Sequence, residues 1–256
     1  MTFRPWAVAA LSLGTLVAWT PRPPAPLKYK LDLKTTQVVN LAALGQGEQR
    51  VELSGSGFVS VTAVDSAGGQ AVTVVLDSVT LAEGSPIPPD AVKAAAGTVW
   101  HAFRAPNGRV GEFTTETQNP VSSTVEGVLQ QIFPPLKRGT GPGSSWTDTT
   151  ETVRNGSIAV RTVTNFQTSA DNVGGQKVTR LAGASASSIS GSQEGPQGTV
   201  QIAGTGTGSS SWVVGADGTC VSGTYSGTQS LQVTISMSPE PLPLTVTIEG
   251  NAALLK

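Results

Sequence analysis

Two side chains that carry much of protein chemistry are almost missing from this sequence, which has one cysteine, Cys220, and one histidine, His101. A lone cysteine excludes a disulfide within the chain and any multi-cysteine metal site. A lone histidine excludes most His-based metal centres and leaves a single candidate general base. Charge is scarce too: 13% of residues are charged, against about 25% in an ordinary soluble domain. The net charge of −1 offers no basic excess to neutralise phosphates, which argues against a nucleic-acid partner. Aromatics make up only 5%, too few for the ring platforms of a carbohydrate-binding surface.

Catalytic signatures are missing as well. There is no Gly-x-Ser-x-Gly elbow, no phosphate loop and no His-Glu-x-x-His. Gly204–Gly208, which alternates glycine with threonine, has no helix pattern after it and reads as a bulged or flexible strand. Glu112 and Glu116 are spaced like paired acids but sit in a polar stretch, so they read as solvated carboxylates. Asp148, Glu151 and Asp171 supply oxygen ligands without a calcium-loop pattern around them. The expectation is a protein that is not an enzyme, with no catalytic residue, no metal and no cofactor.

What the sequence does contain is Gly, Ser, Thr and Val, which favour strands and turns over helices. Residues 1–20 read as a signal peptide or an uncleaved N-terminal anchor: one positive charge, the apolar run 5–19, then a polar, proline-rich exit. The run is short for a membrane span, which needs about 20 residues. Residues 21–26 read as a stiff proline-rich spacer. Export to the periplasm or the outside follows, with membrane association possible only through this segment.

From Leu27 onward the chain reads as a single β-rich domain with a two-part order, 27–133 and 146–256. Leu27, Tyr29, Leu31 and Leu33 alternate with Lys28, Lys30, Asp32 and Lys34, a strand with one buried and one wet face. In the strand spanning 71–81 the apolar phase flips between Leu76 and Val79, so a bulge near Asp77 is needed to keep one apolar face. Hairpin turns are expected at 66–69, 106–108, 155–156 and 216–218. A strand at 109–115 should follow the second of these.

Two short helices interrupt the strands. One lies within 85–97, with prolines at its start and Gly97 past its end. The other opens at Asn119-Pro120, runs an apolar stripe of Val121, Val125, Val128, Leu129, Ile132 and Phe133, and stops at Pro134-Pro135. The prolines at 239, 241 and 243 should exclude that linker from a central strand.

The helix end Ile132-Phe133-Pro134-Pro135-Leu136 and the re-entry Gly143-Ser-Ser-Trp146-Thr-Asp148 resemble exported bacterial proteins and lipoproteins. More distantly they resemble the lipoprotein-carrier open-barrel superfamily of the LolA and LppX type. The resemblance implies a mainly β fold: a large, curved antiparallel sheet, an unclosed barrel, with two short helices on its concave face. It also implies that acyl chains are held between sheet and helices. The chain departs from it in lacking a lipid-modified cysteine after the leader.

Two functions stay open at this point. The first is an exported envelope protein that binds a lipid or other hydrophobic ligand in an apolar cavity lined by Trp100, Phe103, Val125, Leu129, Ile132, Phe133 and Trp146. The second is a structural or adhesive surface β protein with no small-molecule site, suggested by the Gly/Ser/Thr-rich second half.

Overall fold

The computed structural model describes residues 25–255, apart from 118, 138, 155–156, 196–197, 236–237 and 239. The segment expected to be a leader or anchor, most of the expected proline-rich spacer and the expected 155–156 turn therefore lie outside the described residues.

Among the described residues, ten strands form one antiparallel sheet. They are β1 (Leu27–Asn40), β2 (Glu48–Ser66), β3 (Gly69–Leu81), β4 (Val99–Arg104), β5 (Ser145–Arg154), β6 (Ile158–Val173), β7 (Gln176–Gly195), β8 (Gly198–Val214), β9 (Cys220–Ile235) and β10 (Leu242–Leu254). Their spatial order is β4-β3-β2-β1-β10-β9-β8-β7-β6-β5. Each half of the sequence is a meander, and the two are fused where β1 pairs with β10, from Tyr29↔Leu254 to Val39↔Leu244. The sheet is mainly antiparallel β as expected, and it is not closed into a barrel.

The alternation of β1 sets the faces. Tyr29, Leu31 and Leu33 are buried, while Lys30 and Asp32 stay outside and pair at 2.9 Å. Along β3 the expected bulge is present: Phe58 pairs with Ser78 but Val59 pairs with Leu76, so Asp77 is the extra residue. That insertion keeps Val72, Val74 and Leu76 on one face with Val79 and Leu81. Asp77 accepts a hydrogen bond from the Ser60 hydroxyl at 2.7 Å.

The helices form as their caps dictate. Helix α1 (Pro89–Ala95) starts on prolines, and Gly97 takes φ 85° just past its end. Helix α2 (Pro120–Leu129) has a reciprocal capping box: the Asn119 side chain accepts from the Ser122 amide at 2.8 Å, and Ser122 Oγ accepts from the Asn119 amide at 2.9 Å. A 3-10 turn, Gln130–Ile132, finishes the helix before Pro134. All six residues of the apolar stripe are buried. Val121, Val125, Leu129, Ile132 and Phe133 pack with Tyr29, Leu31, Val59, Val74, Trp100, Phe166, Leu181 and Trp212 into one core, and Val128 lies against Gly250. At roughly 1.5–3 kcal/mol per buried aliphatic side chain, this stripe is the main reason the helix docks.

Several sequence expectations are corrected. Gly55-Ser-Gly57 reads in the sequence as an interruption between strands 49–53 and 58–65, but all of it is one strand, β2, in which Gly55 admits close neighbours: a Cβ there would stand 2.6 Å from the Thr80 carbonyl oxygen. Gly204–Gly208 lies inside β8, a strand as expected, but without a bulge: its register with β9 is continuous there. Residues 109–115 do not form a full strand; they flank β4 through two isolated bridges, His101↔Thr114 and Arg104↔Val110. Pro243 does lie in β10, opposite Gln232, but beyond the last β1 pair at Val39, so no β1 ladder bond is lost there.

The sheet is strongly curved. Flat, ten strands at roughly 4.8 Å spacing would hold the outer edges about 43 Å apart. Yet Arg109, five residues past the end of β4, forms an ion pair with Asp148 of β5 at 3.1 Å. The connector after Pro135 is pinned to β6 by buried Thr168, whose hydroxyl donates to the Gly141 carbonyl and accepts from the Ser144 amide, both at 2.9 Å.

Candidate functional site: the open half of the concave face

The register divides the concave face into two halves. At one end, where β1 begins and β9 begins, the helices and the 3-10 turn fill it completely. At the other end, strand residues alone form a second apolar cluster. It consists of Ile158 and Val160 of β6, Ile189 of β7, Ile202 of β8, Leu231 of β9, and Leu244 and Val246 of β10. Ile202, Leu244 and Val246 remain half-exposed. No described helix contributes to this cluster.

Between the helices and this cluster runs a belt of small residues. Ser185, Gly206, Gly208 and Gly227 lie on it by register, with Thr162 and Thr164 toward the β5 edge. The glycines are required by close approach: a Cβ at Gly208 would stand 2.9 Å from Ser185 Oγ and 3.1 Å from the Tyr225 ring. Tyr225 therefore lies flat along the belt. Every inward-facing residue on β7 to β10, from Ile189 and Ile202 through to Ile248, is uncharged. This half is thus an open channel, uncharged on β7 to β10 and apolar at its far end, with Asp148 opposite Thr164 at the β5 edge. That combination suits an apolar molecule, since no fixed charge on β7 to β10 must be desolvated.

The residues expected to line a ligand cavity fall into three groups. Trp100, Val125, Leu129, Ile132 and Phe133 are brought together, but as a filled plug in which Trp100 and Leu129 are 0% exposed. Trp146 is half-buried and stacks on Phe166 with ring centroids 5.2 Å apart. Phe103 is 43% exposed and points to the opposite side of β4, because an odd offset from Trp100 reverses the face of a strand. All of these except Phe103 lie toward the inner end of the channel and leave its length to other residues. The channel residues were missed because Ile189, Ile202 and Leu231 stand singly among Gly, Ser and Thr. Only the register shows that they converge.

The remaining ionisable candidates are accounted for locally. Asp148, Glu151 and Asp171 are each paired, with Arg109, Arg161 and Arg180, and no cluster of metal-ligating side chains occurs among the described residues. His101 lies on the outer face, 3.3 Å from the Thr73 hydroxyl. At the filled end, the Tyr29 phenol donates to the Cys220 carbonyl at 3.0 Å. Burial pushes the Cys220 thiol up to about 12 and raises the Tyr29 phenol as well. Both are neutral packing groups there.

Two further depressions lie outside the channel. One, of about 280 Å³, sits in the gap between the sheet edges and is lined by Arg109, Pro135, Lys137, Trp146 and Asp148. The other, about 660 Å³ and wide open, lies beside the β6–β7 turn against Pro142, Lys177 and Val178.

No protein-family model matches the chain, and no curated protein matches it in sequence.

Proposed function

We propose that this is an exported envelope protein that binds an elongated hydrophobic ligand, a lipid acyl chain or a molecule like it, along the open half of its concave sheet, and catalyses no reaction. The observation that carries this reading is the second apolar cluster, which faces inward yet receives no described helix. The apolar run 5–19 supports export.

Magnitudes bound the affinity. A buried methylene contributes about 0.8 kcal/mol. A twelve-carbon chain covered on one side therefore gains roughly 5 kcal/mol, which ordering and association costs of about 4–15 kcal/mol largely offset. Burial on one face alone gives weak binding, so a closer-fitting contact or a polar anchor is required for tight retention.

The test is fluorescence of N-phenyl-1-naphthylamine, an apolar dye, with the purified full chain. The dye should brighten with the native protein and lose that response in Ile202→Glu and Val246→Glu, which place a charge on half-exposed channel positions. Phe103→Glu, on the other side of the sheet, should bind dye like the native chain. Equal brightening by all four proteins would refute the channel as the binding site.

The outer face of β7 to β9 favours the adhesive alternative. Along the middle of these strands its exposed positions, Ala184, Ser188, Thr205, Thr207, Ser226 and Thr228, carry no charge, and Arg180 and Glu194 stand toward the two ends of β7. Concentration-dependent self-association on sizing, abolished by Thr207→Lys, would favour that second reading.

A further inference from the structure

Gln131 and Trp212 share an unusual condition. Each is only 6% exposed, and the Gln131 Oε1 acceptor and the Trp212 Nε1 donor both lack a hydrogen-bond partner. Buried polar atoms without partners are uncommon, because each forfeits the hydrogen bond it had in water. Here the acceptor and the donor belong to residues that meet at one place.

That place is Gly223 of β9. A Cβ at Gly223 would run into the backbone carbonyl of Gln131 and would stand 2.8 Å from Trp212 Cδ1, the atom bonded to Nε1. The Gln131 side chain then continues past Gly250, where a Cβ would stand 3.9 Å from Gln131 Cγ. Gly223 pairs with Ala252, and Gly250 pairs with Tyr225 one step nearer the open end. Gln131 thus reaches from the helix plug toward the channel, and the indole N–H lies beside its root. The neighbouring inward positions, Ser210, Tyr225 and Gly250, carry no charge.

We infer that Trp212 and Gln131 form the polar terminus of the channel, which receives an uncharged hydrogen-bonding group, an alcohol hydroxyl or a carboxamide, at the inner end of an otherwise apolar ligand. Such a group accepts from the indole N–H and donates to the glutamine carbonyl, so it satisfies both atoms at once. A carboxylate or phosphate fits poorly, because it offers no proton to Oε1, meets no cation among the inward residues of β8 to β10, and the inward cation of β4, Arg104, is already bonded to the Gly108 and Pro134 carbonyls. The assignment rests on the channel reading above and gives the ligand a polarity and a direction.

The experiment is displacement of N-phenyl-1-naphthylamine from the full chain by dodecane, 1-dodecanol and dodecanoate. One net hydrogen bond is worth a factor of about five, and two somewhat more. Dodecanol should therefore displace the dye at a concentration at least about fivefold below that of dodecane. Trp212→Phe keeps the ring and Gln131→Met keeps the length. Each should bring dodecanol to within about twofold of dodecane, leave dodecane unchanged and leave the melting temperature equal or higher.

Dodecanol no better than dodecane in the native chain, dodecanoate binding best, or both variants keeping the alcohol preference would overturn the assignment while leaving the channel intact. Failure of the dye and of all three ligands to bind would bring down the channel reading itself, and the assignment with it.

Discussion

Arg109 and Asp148 meet at 3.1 Å across the two outer edges of a ten-stranded sheet. The contact closes the gap that the hydrogen-bond ladder leaves between β4 and β5, and it does so with side chains only 39% and 25% exposed. Partial burial strengthens the pair relative to a surface one but leaves solvent screening in force. In a double-mutant cycle of Arg109→Ala and Asp148→Ala, measured by urea unfolding, the coupling should be about 0.5–1 kcal/mol and should shrink in 1 M salt. A coupling of zero would mean that this pair does not help to hold the edges together.

Helix α2 contains a glycine without a structural need for one. Gly127 is exposed, and a Cβ there would meet nothing within 4 Å. Gly127→Ala should stabilise the protein by about 0.5–1 kcal/mol through helix propensity and a more restricted unfolded chain. Chemical denaturation with an unchanged slope would verify it.

The opposite holds in the belt. At Gly204 a Cβ would overlap the Ser230 carbonyl and stand 2.8 Å from Leu231 Cα. Gly204→Ala should cost about 1–3 kcal/mol, since backbone cannot move aside as a flexible side chain would. A loss comparable to that of an ordinary surface substitution would show that β8 and β9 can separate locally.

The α2 cap gives a matched pair of variants. Asn119→Ala removes the acceptor for the Ser122 amide and should cost about 1 kcal/mol. Asn119→Asp keeps that acceptor and places a negative charge at the positive end of the helix, so it should retain most or all of the stability. The two melting temperatures, compared at pH 7, decide it.

Alkali should unfold the protein through Tyr29 and Cys220. Both pKa values are raised in the folded state, chiefly by burial. Below the unfolded values both groups are protonated in either state, and their contribution is complete. Above them the unfolded chain releases protons that the folded one retains, so stability falls as pH rises, by about 1.4 kcal/mol per pH unit for each group. Cys220→Ser, followed by urea unfolding from pH 8 to 11, should flatten the lower part of that slope. The native thiol should also resist a disulfide reagent at pH 8 until denaturant is added.

Local chemistry in the sequence revealed much of the fold. The β1 alternation, the bulge at Asp77 and the Asn119 cap each follow from a few adjacent residues, so they were readable. Continuity of β2 and β8 was not, because glycine reads as a break when alone and as a fit only beside Leu81 or Leu231. The site was legible in part for the same reason. The stripe from Val121 to Phe133 announced a helix that needs an apolar partner, but not that the partner fills one half of the sheet and leaves the other open. Phe103 was grouped with Trp100 by proximity in sequence, whereas a strand separates residues three apart onto opposite faces.

The pairing of β1 with β10 bears on how the molecule is made. The first and last strands of the described domain are neighbours at the centre of the sheet, so the longest loop in sequence must close before the two meanders become one. Such non-local closure makes folding slow. Each meander meanwhile presents an unpaired inner edge, β1 or β10, with Leu31 or Ile248 on its apolar face. The centre of the sheet cannot lock until β10 has arrived. Any holdup at that stage would favour partner-swapped pairing, the β10 of one molecule against the β1 of another.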